Sequence, residues 1–182
     1  MSAKIRICTK GDSQILAETT RKSFQDVAER FGLTRQNAPH HPSNCTVDWI
    51  RKDMERGVAY FATENRNHVV GCVALERPNT EVCYLERLAV LPGHRRRGFG
   101  KALVEHVLSE ARLLGARCVS IGIIAEHTEL KNWYKGLGFL EGESKEFPHL
   151  PFRVSVMTYE MKRSCQQCAA PDAIERVSDL CR

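Results

Sequence analysis

No stretch of the 182-residue sequence approaches the roughly 18 consecutive apolar residues that cross a bilayer, and Met1-Ser2-Ala3-Lys4-Ile5-Arg6 lacks the apolar core of a secretory leader. No membrane partner is therefore expected, and a cytoplasmic location is. Neither sign of charge dominates: 27 basic against 22 acidic residues leave a net +5, compatible with a local anion site without requiring nucleic acid. Composition, at 42% hydrophobic and 27% charged residues, lies near globular averages and excludes chain-long disorder, collagen and an extended coiled coil. The eight cysteines have no export signal beside them, and Cys8, Cys72, Cys83 and Cys118 sit in apolar runs, as buried reduced thiols do. No metal is expected either. His40, His41 and Cys45 share one loop, but their spacing to Cys165, Cys168 and Cys181 is arbitrary for a metal site.

What is present fits one α/β domain with an appendage. Ile5 to Cys8 reads as a short strand, and Gly11-Asp12-Ser13 opens a helix that runs to about Arg30. A loop through Pro39, His40, His41 and Pro42 leads to a short helix ending near Gly57. Three β-branched and aromatic runs follow, at Tyr60 to Thr63, Val69 to Leu75 and Val82 to Leu91, as sequential antiparallel strands. Leu103, Val107, Ala111 and Leu114 then mark one face of a helix from Phe99 to Gly115. A strand at Cys118 to Ile124, apolar on both faces, a helix closed by Gly138, and two last strands broken by Pro148 and Pro151 complete the pattern at Met161. Residues 1–161 are thus expected to form the domain and residues 162–182 a disordered tail.

The chemistry concentrates where the third strand runs into Leu91-Pro92-Gly93-His94-Arg95-Arg96-Arg97-Gly98-Phe99-Gly100-Lys101 and on into a helix. Free backbone N–H groups, the positive helix end and four basic side chains converge there on one spot, an anion cradle. Spacing excludes two familiar phosphate loops. Phe99 stands where an ATP-binding loop needs Lys, and Leu103 stands where a dinucleotide fingerprint needs its third Gly.

With Leu88-Ala89-Val90 ahead, Arg-x-x-Gly-x-Gly within and an Ala-Leu helix behind, the segment resembles the coenzyme A pyrophosphate motif of the GNAT superfamily of acyl-CoA-dependent N-acyltransferases. Asn132-Trp133-Tyr134-Lys135-Gly136-Leu137-Gly138-Phe139 is similar to the superfamily's later motif, a Tyr on a short helix before a Gly-Phe. The resemblance in element order runs from about Ile5 to Met161. It implies a mixed, mainly antiparallel sheet of about seven strands flanked by about four helices, with two central strands splayed around the acyl carrier.

It also implies acetyl-CoA as acyl donor, an amine-bearing acceptor, and direct transfer without a covalent intermediate. By that analogy Leu88, Ala89 and Val90 offer main-chain groups to the pantetheine and the thioester carbonyl. Arg95, Arg96, Arg97, Gly98, Phe99, Gly100 and Lys101 hold the pyrophosphate. Tyr134 matches the Tyr whose hydroxyl faces the thioester sulfur and serves as the acid. For the base, strand parity selects Glu86, two residues before Leu88 and so on the same side of the sheet. Two positions depart from the pattern: Gly122 replaces a Glu found in some members, and His127 replaces an Asn that contacts the cofactor. His127 is retained as a cofactor contact. Glu86, Asp48, Asp53 and Glu126 are candidates for recognising the cationic acceptor, and Phe24, Phe31, Trp49 and Trp133 for lining its pocket.

A small-molecule amine is preferred over a protein lysine or N-terminus, because the loop between Gly32 and Asn44 would tend to close a peptide groove. A binding module that senses acyl-CoA without turnover remains an alternative. Nucleic acid is not expected, since the basic residues are confined to one turn, and either a monomer or a homodimer is compatible with the sequence.

Overall fold

The computed structural model describes residues 4–161, and the proposed tail at 162–182 lies outside them. Within these residues the chain runs β1 (Lys4–Ile7), α1 (Ser13–Arg30), α2 (Val47–Glu55), β2 (Ala59–Asn65), β3 (His68–Glu76), β4 (Val82–Val90), α3 (Phe99–Leu113), β5 (Cys118–Ile124), α4 (Thr128–Gly136), β6 (Leu140–Glu146) and β7 (Arg153–Glu160). Local chemistry sets the ends. The Thr46 hydroxyl accepts the Trp49 N–H at 3.3 Å and starts α2. Gly115 and Gly138, at φ +76° and +95°, close α3 and α4 in the left-handed conformation that costs other residues most.

The strands form one seven-stranded sheet in the order β1-β2-β3-β4-β5-β7-β6. All neighbouring pairs are antiparallel except β4 and β5, which the α3 crossover makes parallel. Leu103, Val104, Val107, Leu108 and Ala111 of α3 bury one sheet face, against Val73, Leu85, Val119 and Met157 among others. On the other face α1 and α2 cover Tyr60, Cys72, Ala74 and Ala89 through Leu16, Ala17 and Ile50. The sequence expectations of element type and order hold throughout the described residues.

Two irregularities position the site. β4 and β5 pair only at Val82 with Cys118, Cys83 with Val119 and Tyr84 with Ser120, then diverge, so the rest of β4 leaves an unpaired edge facing β5. In addition β4 carries a bulge: Glu86 pairs with Ala74 and Ala89 with Cys72, so Arg87 and Leu88 together oppose Val73. Arg87 takes the left-handed conformation there, at φ +48°. Beside the bulge Gly71 packs so closely that an added Cβ would meet the Ala89 carbonyl oxygen at 2.8 Å and the Leu103 side chain at 3.3 Å. Gly71→Ala is accordingly expected to destabilise the fold by about 1–3 kcal/mol, read as a lower urea midpoint at unchanged slope.

All five cysteines in the described residues are free thiols. Cys45, Cys72, Cys83 and Cys118 are buried, whereas Cys8, expected to be buried, is only half-buried. Burial pushes Cys72 up to about 12 and Cys45 up to about 11, so neither is a thiolate near neutral pH.

Candidate active site

The bulge decides where the strand's side chains go. Leu85 packs on the α3 face, and so do Leu88 and Val90. Glu86 pairs with Ala74 on the α1/α2 face, and Arg87 reaches Asp53 of α2 on that same face. The expectation that Glu86 and Leu88 share a side is therefore wrong: one extra residue between them inverts the alternation.

Beneath the bulge lies a charged network. The Arg87 guanidinium pairs with Asp53 and donates to the Tyr60 hydroxyl at 2.6 Å, while Tyr60 donates to Asp53 at 2.6 Å. Arg56 binds the other oxygen of Asp53 at 2.9 Å and also pairs with Glu76. Glu86 lies 3.6 Å from Arg87 through one oxygen; its other oxygen is buried without a hydrogen-bond partner among the described residues. Burial is the main reason the Glu86 carboxyl is pushed up to about 8; nearby Arg87 opposes this, and Glu76 and Asp53 add to it. A non-glycine residue in the left-handed region costs on the order of 1–3 kcal/mol, so the bulge depends on the ion pair that holds Arg87.

At the far end of β4, α3 begins on Gly98 at φ +87°, with no side chain capping its first turn. An added Cβ at Gly98 would stand in open space. The first N–H groups of a 15-residue helix thus face outward, ready for an anion. Gly100 keeps the opening clear on its other side, where a Cβ would lie 3.5 Å from the Trp133 indole of α4 and 3.7 Å from Val90.

The basic residues of the loop diverge. Arg95 pairs with Asp26 of α1 and donates to the Ser23 carbonyl at 2.5 Å and the Val90 carbonyl at 3.2 Å. It is a strut between α1 and the end of β4, and its guanidinium is not available to the cradle, contrary to expectation. The same bond occupies the Val90 carbonyl, and the Ala89 carbonyl faces β3 beside Gly71, which leaves Leu88 to offer main-chain groups to the opening. Arg97 lies over the Phe99 ring at 5.7 Å, on the side of the β2–β3 turn. Arg96 is exposed and acts on Glu129 of α4, whose carboxyl is held below its ordinary range first by its ion pair with Arg30. Lys101 is exposed 3.7 Å from Glu105. Arg96 and Lys101, with the N–H groups of Phe99 and Gly100, are what remains for a phosphate.

Tyr134 is fully buried in the α3-side core, edge-on to Trp133 and Phe139 with centroids 4.8 and 5.2 Å away. Burial pushes the pKa of its hydroxyl up, with no hydrogen bond contributing, so it stays protonated. His127 is neither a free loop residue nor open on both nitrogens. Its Nδ1 accepts the Leu130 N–H at 3.4 Å as the cap of α4, and its ring packs on Phe31 at 5.5 Å.

A cavity of about 660 Å³ opens where α1, the end of β5 and the β6–β7 loop meet, lined by Phe31, Phe147, Leu150 and Phe152 with Glu126 and Glu146. Arg153 pairs with Glu126 at 3.1 Å, while Glu146 has no ion-pair partner among the described residues. Of the aromatic residues expected at the acceptor pocket, only Phe31 lines this cavity. Phe24 and Trp49 pack instead on His41 and His40, and Trp133 stands at the mouth between α3 and α4. Asp53 is spent on Arg87, and Asp48 is exposed in the first turn of α2. The sequence reading missed Arg87, Arg56, Glu76 and Glu146; an arginine following a glutamate in a strand carries no sign that a bulge will lock it.

Comparison with known proteins agrees with this geometry. The model of the Acetyltransferase (GNAT) family matches residues 22–139. An uncharacterized N-acetyltransferase of Methanocaldococcus jannaschii is 32% identical over 145 residues, which are 76% of this chain and 61% of that protein; this chain thus matches less than two-thirds of its relative's length. The fold is shared with the Escherichia coli ribosomal-protein-S18-alanine N-acetyltransferase, at TM-score 0.72 and 14% identity over 92% of this chain and 99% of that one. It is shared too with an N-acetyltransferase of Thermoplasma acidophilum in complex with coenzyme A, at TM-score 0.68 and 16% identity over 88% of this chain and 100% of that one. With a parallel pair that opens onto an uncapped, glycine-built helix start, and a family match over well over half its length, this chain belongs to the GNAT acetyltransferase family.

Proposed function

We propose that this protein transfers an acetyl group from acetyl-CoA to a primary amine of a small molecule, by direct attack within a ternary complex. The observation that carries the proposal is the β4–β5 opening that ends on the exposed N–H groups of α3. A coenzyme A pyrophosphate fits that cradle: Gly98 leaves open space where a side chain would stand, and Arg96 and Lys101 bring positive charge beside it. The pantetheine arm would pair with the free edge of β4, where the Leu88 main chain can hold the thioester carbonyl and stabilise its developing negative charge. The donor supplies an acyl group on a thiol leaving group. The chain supplies the proton transfers.

Glu86 takes a proton from the incoming ammonium so that the neutral amine can attack, and its buried, unpartnered oxygen suits that role. Tyr134 donates to the departing sulfur, for which a hydroxyl kept protonated by burial is suited. Once Glu86 has taken the first ammonium proton, the neutral nitrogen bonds to the carbonyl carbon; as the carbon–sulfur bond breaks, the thiolate takes the Tyr134 proton and the second proton shed by the nitrogen restores the tyrosine, so that amide and thiol leave with one proton held on Glu86. His127 would contribute through its Nε2, since Nδ1 is used in capping α4.

The aromatic cavity at the β6–β7 loop supports a compact acceptor. It has room for a small amine with an apolar body, and Glu146 offers it an unpaired carboxylate. The E. coli relative by fold is named for acetylating a protein alanine, so a peptide acceptor is the second reading. Titrating acetyl-CoA into the reduced protein, with ATP and NAD as controls, should give one-to-one binding of acetyl-CoA alone. Acceptors are then screened among free amines, amino acids and peptides. Failure to bind acetyl-CoA would overturn the donor, and efficient acetylation of peptides but not of free amines would overturn the acceptor. Gly98→Asn tests the cradle, because Asn tolerates the left-handed backbone while placing a side chain in the anion's space. Its affinity for acetyl-CoA should fall by about tenfold or more at an unchanged melting temperature.

A further inference from the structure

A second basic cavity lies behind the pyrophosphate loop, on the side away from β5. It forms because β2 and β3 are joined by a two-residue turn, Arg66 and Asn67, both left-handed at φ +50° and +64°. That turn brings Arg66 and His68 alongside the end of β4, where Leu91 donates to the Val70 carbonyl at 2.9 Å and the chain swings through His94 toward Arg97. The result is a cavity of about 430 Å³ whose walls include Arg66, His68, His94 and Arg97 and no carboxylate.

This concentration of positive charge is uncompensated. Arg6, Arg30, Arg56, Arg87, Arg95, Arg117 and Arg153 all pair with carboxylates, whereas neither Arg66 nor Arg97 has an ion-pair partner among the described residues. His94 adds a buried ring nitrogen with no hydrogen-bond partner there, and His68 bonds the Arg66 carbonyl through Nδ1 at 2.9 Å, which leaves Nε2 for a ligand. Two guanidinium groups at one concave site match the oxygens of a phosphate better than they match each other.

We infer that this cavity binds a phosphate group, gripped by Arg66 and Arg97 and flanked by His68 and His94. The group is either the 3′-phosphate of the acyl donor or a free phosphate, and both present the same dianion. Because Arg97 belongs to both the cavity and the pyrophosphate loop, an occupied cavity would steady that loop.

Inorganic phosphate titrated calorimetrically into the protein in chloride buffer should bind saturably, without any need for the acyl-donor reading. In the double variant Arg66→Asn/His68→Gln, whose Asn preserves the left-handed turn, phosphate affinity should drop by about tenfold or more with the melting temperature kept. A second arm compares acetyl-CoA with its 3′-dephospho form. If the cofactor supplies the phosphate, the dephospho form binds more weakly, the double variant abolishes that difference, and inorganic phosphate competes with acetyl-CoA. If the phosphate is separate, inorganic phosphate and acetyl-CoA bind together. Phosphate affinity unchanged in the double variant would overturn the site, as would absent phosphate binding with equal affinities for the two coenzymes.

Discussion

Replacing Tyr134 with phenylalanine is expected to lower kcat by about 10²–10⁴ while changing acetyl-CoA affinity little. The ring would remain in its aromatic setting between Trp133 and Phe139, and only the hydroxyl would go. Burial alone shifts that hydroxyl's pKa and no hydrogen bond contributes, so its loss should orphan no partner and leave the fold as stable as before or slightly more so. A structural tyrosine and a proton donor therefore separate cleanly. Calorimetric affinity, melting temperature and kcat on one preparation decide between them, and an unchanged kcat would remove Tyr134 from the chemistry.

Glu86→Gln should cost a comparable 10²–10⁴, roughly, in kcat/KM if the carboxylate is the base. It also carries a signature in pH. Burial raises the Glu86 pKa to about 8, so the wild-type kcat/KM should climb toward a plateau above that value as the free enzyme's base loses its proton. The same shift has a consequence for stability. A carboxyl whose folded pKa is raised binds its proton more tightly when folded, so its contribution is complete below the unfolded value and is lost as pH rises through about 8. Glutamine has no such proton to lose. The variant should therefore gain stability relative to the wild type between pH 5 and pH 9, measured as urea midpoints, as its activity collapses. Equal pH slopes would mean that Glu86 ionises as freely as an exposed carboxylate, and retained activity would move the base elsewhere in the Asp53–Glu76 network.

Much of the fold was legible because its signals are local. The apolar stripe of Leu103, Val107 and Ala111, the glycines that end α3 and α4, and the hydroxyl of Thr46 act within a few residues of themselves. The uncapped helix start on Gly98, on which the proposed anion cradle rests, was legible for the same reason, since glycines and free N–H groups at a helix start need no distant partner. The individual arginines before it were not. Arg95 serves α1 because Asp26 and Ser23 lie within reach, and that contact spans 69 and 72 residues of sequence. His127 caps α4 and packs on Phe31, where the family resemblance alone implied a cofactor contact.

The sequence alone determined the order of strands and helices and the glycine-built turn, since each follows from periodicity and backbone freedom within short windows, while the parallel β4–β5 pair was implied by the family resemblance. The tertiary structure alone decided the direction of Glu86. Side-chain alternation holds only while the ladder is regular, and the register of β4 is fixed by β3 and by the reach of Asp53 to Arg87 across 34 residues. One inserted residue at that point turns the carboxylate to the α1/α2 face, because the energy that holds Arg87 in its left-handed conformation comes from side chains that only folding brings together.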